Sequence, residues 1–132
     1  MSAGDAEAAP DVALPPAELE LWGTNAVIYS SGSASVGEAR QRACRRWADE
    51  NFLRVVEVCQ DRDSACELQA MHRPGVLRVL NAMTFLDGDV MVVVDEDFEE
   101  FSADDRKWLR EQAAKSEGQI KLVPAEAPKV AS

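Results

Sequence analysis

The chain has 132 residues, 46% of them hydrophobic, and a formal net charge of −10 at pH 7. This length corresponds to one domain, and the apolar fraction is sufficient for a core of its own. The negative charge counts against binding to nucleic acids and to anionic membranes, because both repel a surface of their own sign. We therefore expect weak or absent DNA binding and no association with a membrane.

Three cysteines, Cys44, Cys59 and Cys66, form no Cys-x-x-Cys pair, and His72 is the single histidine. This pattern indicates reduced thiols in a cytoplasmic protein, with a zinc site as the less favoured alternative. The N-terminus lacks the basic region of a signal peptide, and no apolar run approaches the ~18 residues of a membrane span. The sequence predicts a cytoplasmic chain without metal or other cofactors.

The distribution of proline and charge predicts three segments. Residues 1–24 form an acidic, Pro- and Ala-rich flexible arm, whose first 21 residues carry five carboxylates and no lysine or arginine. A helical turn near the end of the arm is expected to pack Leu19 and Trp22 on the body. Residues 25–123 form an α/β domain, and residues 124–132 are a tail.

Four apolar stretches are typical of strands. Ala26–Tyr29 is a short buried strand that runs into a serine-rich loop, and Phe52–Cys59 is a second strand with one less buried face. Val90–Val94 is an uninterrupted apolar run, which is typical of a strand covered on both faces in a parallel sheet. Gln119–Val123 is a closing edge strand, which Pro124 ends.

Three helices are predicted between these strands. The first spans 36–51 and begins at a capping box made by Ser35 and Glu38. The second spans about 74–84 and has a proline in its first turn, and the third spans 102–115 behind a serine cap. The β-α-β-α-β-α-β order predicts right-handed crossovers and a three-layer α/β/α domain with a mostly parallel four-stranded sheet.

A series of short motifs accompanies these elements. In chain order they are Tyr29-Ser30-Ser31-Gly32-Ser33, Gln41, Asp61-Arg62-Asp63-Ser64-Ala65, Arg73-Pro74-Gly75-Val76, Gly88-Asp89 and Asp97. In order and spacing the series resembles the catalytic domain of serine recombinases, the resolvase and invertase group. That group's motifs are Tyr-x-Arg-x-Ser, an early glutamine, Asp-x-x-Ser-Gly, Arg-x-Gly-Leu and Asp-Arg-x-x-Arg. The resemblance implies a resolvase-like fold for residues 25–123.

The resemblance also implies a role for three residues. In the family, a serine hydroxyl attacks a DNA phosphodiester and a cluster of arginines neutralises the phosphate. Ser33 lies at the nucleophile position, Arg73 at one arginine position, and Asp97 at the aspartate of the third-strand motif. Stabilisation of the developing charge is usually the largest catalytic term in such a reaction.

The other three arginine positions of the resembled site have lost their charge, since they hold Ser31, Phe98 and Phe101. The stretch 95–102 contains five carboxylates and no lysine or arginine, and each close carboxylate would repel a phosphate by about 1–4 kcal/mol. We therefore expect Ser33, Arg73 and Asp97 to be vestigial positions. The family's long dimerisation helix and helix-turn-helix domain are also expected to be absent, because the sequence ends soon after the fourth strand.

Each candidate residue also has a structural interpretation. Ser33 would cap backbone groups of its loop, and Arg73 would pair with a carboxylate. The arginines of the first helix would pair with acidic residues on a solvated face; they are Arg40, Arg42, Arg45 and Arg46. Asp95 and Asp97 could hold Mg²⁺ as in Toprim-like domains, but the glutamate that those domains carry after the first strand is absent here.

Two functions from different classes follow. The first is a degenerate recombinase-like domain, a non-catalytic interaction or regulatory module related to DNA recombination and derived from a mobile element. The alternative is an active site-specific recombinase or nicking subunit that uses Ser33 and takes its missing arginines from another chain. Under the first, Phe98, Phe101 and Trp108 are interface candidates for a protein partner or for self-association. Exposed rings would support such an interface, and buried rings would extend the core instead.

Overall fold

Four parallel strands form the central sheet; they are β1 (Asn25–Ser31), β2 (Arg54–Asp61), β3 (Val90–Val94) and β4 (Gln119–Val123). They lie in the order β2-β1-β3-β4, and every neighbouring pair is parallel. The expected α/β fold with a four-stranded sheet is confirmed, and the sheet is parallel throughout.

The structure is a computed structural model and describes residues 23–85 and 89–125. The predicted arm over 1–24 and tail over 124–132 therefore lie almost entirely outside the described residues, as does Gly88. Within the described ranges, no helix combines the length and the apolar character needed to cross a membrane.

The helices cover the two faces of the sheet unequally; they are α1 (Ala34–Glu50), α2 (Pro74–Phe85), α3 (Asp95–Glu99) and α4 (Ala103–Lys115). Because strand side chains alternate, Ala26 and Ile28 of β1 face α1, whereas Val27 and Tyr29 face α2 and α4. Each face has its own buried apolar cluster. All four of these β1 side chains are fully buried, as expected for a strand covered on both sides.

Most predicted boundaries agree with the structure. The helix expected from Pro74, the strand Val90–Val94 and the strand Gln119–Val123 are confirmed. Ser102 caps α4, since its hydroxyl accepts a hydrogen bond from the backbone N–H of Asp105 at 3.1 Å.

Two predicted boundaries were wrong, and one short helix was missed. α1 begins at Ala34, and its N-cap is Ser33 rather than Ser35, because the chain turns two residues earlier at Gly32, where φ is 123°. β2 begins at Arg54, because Phe52 has a positive φ of 62° in the turn that precedes the strand. The short helix α3 was not predicted, because its five residues follow a strand directly and carry no N-terminal cap signal.

Candidate functional site

The carboxyl-terminal edge of the sheet brings the predicted site residues to one place. β1 ends at Ser31, β2 ends at Asp61, and β3 continues directly into α3, which contains Asp97. Crevices outside this edge are where open α/β sheets bind their ligands. Arg73 reaches the same edge from the segment that precedes α2.

Asp97 is fully buried and holds the end of β1. One carboxylate oxygen, Oδ2, accepts the backbone N–H of Ser31 at 2.8 Å, and Oδ1 accepts the Ser31 hydroxyl. Burial raises the pKa of Asp97, whereas the hydrogen bonds from Ser31 and the charge of Arg40 oppose that rise. Ser31 stands where the resembled motif has an arginine, and here it is a buried partner of Asp97.

Arg40 supplies a cation to this edge that the motifs did not indicate. Its Nη1 donates to the backbone carbonyl of Ser31 at 2.9 Å and lies 3.4 Å from Asp97 Oδ1. Its Nη2 lies 3.0 Å from an oxygen of Glu100. The expected pairing along a solvated helix face was therefore wrong for Arg40. The position of Arg40, two helical turns after Ser33, placed it on the helix that begins at this edge but did not indicate its partners.

Arg73 is only 5% exposed, and its guanidinium is bound inside the protein. It donates to the backbone carbonyls of Leu68 (2.9 Å) and Cys66 and to the Tyr29 hydroxyl (3.3 Å). The guanidinium carbon also lies 4.3 Å above the centre of the Phe101 ring, a cation–π contact. These partners replace the carboxylate that the structural interpretation predicted, so that expectation was wrong.

Asp61 connects the end of β2 to the start of α2. Its Oδ2 accepts from the Tyr29 hydroxyl and its Oδ1 from the backbone N–H of Gly75, both at 2.8 Å. A Cβ atom on Gly75 would lie 2.7 Å from Oδ2, so this close approach requires glycine. Burial raises the pKa of Tyr29 far above its usual value, and the phenol is therefore a neutral donor.

Ser33 is exposed and acts as the N-cap of α1, because its Oγ accepts from the backbone N–H of Val36 at 3.4 Å. The preceding Gly32 N–H is bound to the Asp61 carbonyl at 3.2 Å and to Cys66 Sγ at 3.3 Å. Helix capping therefore explains the presence of a serine at position 33 without a catalytic role. Gln41 lies nearby, where its side-chain amide donates to the Ser30 hydroxyl at 3.3 Å.

The three aromatic interface candidates lie in or against the core. Phe98 and Phe101 are each 2% exposed, and their rings meet edge to face with centroids 6.2 Å apart. Trp108 packs, partly buried, against the same apolar cluster. The expectation that Phe98 and Phe101 form an apolar surface was therefore wrong. The short helix α3 turns both side chains toward α2 and α4, which sequence reasoning without α3 could not anticipate.

The described residues hold no group of three or more histidine, cysteine or acidic side chains arranged to bind a metal ion. Asp97, half of the Asp-x-Asp pair considered for Mg²⁺, is instead bonded to Ser31 and Arg40. Burial raises the pKa of the Cys44 and Cys59 thiols to about 12 and about 11, which keeps both protonated at neutral pH.

No family model matches the chain, and no curated protein matches it. Solved structures do match the chain. The C-terminal catalytic domain of ISC1926 TnpA, an IS607-like serine recombinase, aligns with a TM-score of 0.61 at 20% identity, over 76% of this chain and 71% of that one. The N-terminal catalytic domain of TP901-1 integrase aligns with a TM-score of 0.61 at 15% identity, over 75% and 76%.

The chain has the fold of a serine recombinase catalytic domain. At these identities the likeness establishes the fold alone. Within the recombinase fold, the motif positions Ser33, Arg73 and Asp97 lie around one edge of the sheet. All three are bound to other groups of the protein. Ser33 is bound to a backbone amide, Arg73 to two carbonyls and a phenol, and Asp97 to a serine.

Proposed function

We propose that this recombinase-fold domain is non-catalytic and acts as an interaction or regulatory module related to DNA recombination. The observation that carries the proposal is the internal pairing of both guanidiniums at the candidate site. Arg40 is paired with Asp97 and Glu100, and Arg73 is bonded to two carbonyls and a phenol. A phosphate entering the site would have to displace these partners before it gained a cation.

Electrostatics supports the same proposal. Transfer of a phosphoryl group depends almost entirely on positioning and on positive charge around the phosphate. At this edge, Asp61, Asp97 and Glu100 outnumber the two cations Arg40 and Arg73. Glu96 and Glu99 are exposed close by. Phe98 and Phe101 are apolar and buried where the resembled motif carries arginines. The local field therefore opposes an anionic substrate.

The module would work through a protein partner or through self-association in the cytoplasm, in line with the acidic composition. Because Phe98 and Phe101 are buried, they do not provide the contact surface. Other large apolar side chains remain exposed on the described surface near Arg73, including Leu68, Met71 and Leu77. We propose that the described domain, residues 25–123, is the binding unit.

One observation favours the alternative function, a recombinase or nicking subunit completed by another chain. Ser33 is exposed, and Arg40 Nη1 lies 3.7 Å from the position that a Cβ on Gly32 would occupy. A cation therefore lies beside the loop that carries the serine hydroxyl. A partner that drew Glu100 away from Arg40 would remove one of the carboxylates paired with this guanidinium. The guanidinium would then be more available to a phosphate.

DNA binding by this chain alone tests the proposal, because a chain that cuts DNA without a partner must first bind it. Titration of a labelled DNA duplex at physiological salt is expected to show no saturable change in the micromolar range, where non-specific DNA-binding proteins usually respond. The matched control reverses three arginines of α1, in the variant Arg42→Glu, Arg45→Glu, Arg46→Glu. A steep salt-dependent affinity of the wild type that this variant abolishes would contradict the proposal.

A further inference from the structure

An apolar groove runs along one side of α1. It consists of two cavities of about 310 and 260 Å³, which share this side of the helix and the chain segment 123–125. The α1 residues that line it recur at helical spacing, and with the facing wall they include Val36, Ala39, Ala43, Trp47, Val123 and Ala125. The two cavities therefore follow one face of α1 along most of its length.

The layer arrangement explains why space remains beside α1. Among the described residues, the face of the sheet that carries α2 and α4 is covered by two helices, whereas the opposite face is covered by α1 alone. The groove lies on the β4 side of α1, where a second helix or an extended segment would complete the layer. One further segment of chain would fit this position.

The lining of the groove indicates the nature of that segment. Most of the lining side chains are apolar, and the charged ones balance, since Arg40 and Arg46 are offset by Glu50 and Glu96. The N-terminal residues 1–22 carry five carboxylates and no lysine or arginine, and they also contain Leu14, Leu19, Leu21 and Trp22. These four large apolar side chains complement a groove whose lining is mostly apolar.

The described chain begins at Gly23, close to one end of this groove. The backbone N–H of Gly23 donates to the carbonyl of Phe52 at 2.9 Å, and Phe52 follows the end of α1 by two residues. Glu50, the last residue of α1, lines the groove at this end. A segment tethered so closely has an effective concentration on the order of millimolar. It is also long enough, since α1 measures about 25 Å and 22 extended residues reach up to about 70 Å.

We propose that the groove beside α1 is the binding site for residues 1–22 of the same chain, with Leu19, Leu21 and Trp22 against its apolar floor. The groove ends at Val36 and Arg40, next to the candidate site. Segment 1–22 would thus cover the Arg40 side of that site. This inference is independent of the proposed function, because a catalytic domain could bind the same segment.

Paramagnetic relaxation in the 132-residue chain tests this placement. A spin label is attached to Ala13→Cys in a Cys66→Ser background, since Cys44 and Cys59 are buried. We expect the methyl signals of Val36, Ala39 and Ala43 and the indole signal of Trp47 to lose more than half their intensity, while signals of the distant α2 and α4 stay sharp. The intensities should recover several-fold in Leu19→Ser, Leu21→Ser but not in the matched control Ala17→Ser.

Four results would overturn the inference. The groove signals could stay at full intensity, or broadening could fall on the α2 and α4 face instead. Broadening that appears only when spin-labelled protein is mixed with isotope-enriched protein that carries no spin label would assign the groove to a second copy. Broadening of the groove by a label at Val130→Cys, with none from Ala13→Cys, would assign it to the C-terminal residues.

Discussion

Replacement of Phe98 with alanine is expected to lower the free energy of unfolding by about 3–5 kcal/mol, the usual cost of truncating a buried phenylalanine. Its ring is 2% exposed, packs edge to face on Phe101 and lies beneath the guanidinium of Arg110, 5.0 Å from the ring centre. The truncation would leave a cavity between α3 and α4. Urea unfolding followed by circular dichroism measures the loss.

The matched control for this prediction is Leu77→Ala. Leu77 is 46% exposed on α2, so its truncation should change the free energy of unfolding by less than about 1 kcal/mol. Phe98→Ala could instead keep near-native stability and lose self-association in sedimentation. That result would show that Phe98 lies at an interface and is not buried in the core. Equal destabilisation by the two variants would also contradict the burial of Phe98.

Removal of Asp97 is expected to have an effect of similar size. In Asp97→Ala the hydroxyl and backbone N–H of Ser31 and the guanidinium of Arg40 lose a fully buried acceptor, and breaking a buried pair from one side typically costs about 3–5 kcal/mol. Glu100→Ala removes the other carboxylate bound to Arg40. Because the Glu100 side chain is 55% exposed, its loss should cost less than about 1 kcal/mol.

The pH dependence of stability separates charge from hydrogen bonding at Asp97. Its pKa in the folded protein is raised by burial, so the folded state binds this proton more tightly than the unfolded state does. The contribution of Asp97 to stability is therefore greatest below its pKa in the unfolded chain. This contribution is lost as pH rises through the raised pKa of the folded protein. Asp97→Asn cannot titrate. The stability of wild type relative to Asp97→Asn should fall over this window and then stay constant.

A relative stability that rises with pH in the same window would show that hydrogen bonds and Arg40 lower the pKa of Asp97 below its unfolded value. The comparison uses urea midpoints of both proteins between pH 3 and pH 8, since the two share every other titrating group. The Asn variant keeps an acceptor for the Ser31 N–H, so it should lose less stability than Asp97→Ala.

The fold could be predicted from the sequence because its signals are local and strong. The uninterrupted apolar run Val90–Val94 and the serine cap at Ser102 each specify an element without reference to the rest of the chain. The parallel order of strands follows from the alternation of helices and strands. The start of α1 could not be decided locally, since the serine-rich loop offers both Ser33 and Ser35 as caps.

The candidate site was predicted less completely, because its contacts join residues far apart in the chain. The motifs placed Ser33, Arg73 and Asp97 near one edge, but no local pattern indicates that Arg40 reaches Asp97 across 57 positions or that Arg73 donates to backbone carbonyls. The burial of Phe98 and Phe101 could not be predicted because it depends on α3, a helix too short to produce a periodic pattern in the sequence.

The most direct test of whether this recombinase-fold domain cuts DNA is a search for a covalent protein–DNA adduct. Supercoiled plasmid is incubated with wild-type protein and with Ser33→Ala, and the protein is then denatured and digested to expose any attached nucleotide. Ser33 is exposed, so its truncation should leave the fold intact. We expect no adduct and no relaxed plasmid with either protein. An adduct formed by the wild type and abolished by Ser33→Ala would show that the domain is catalytic.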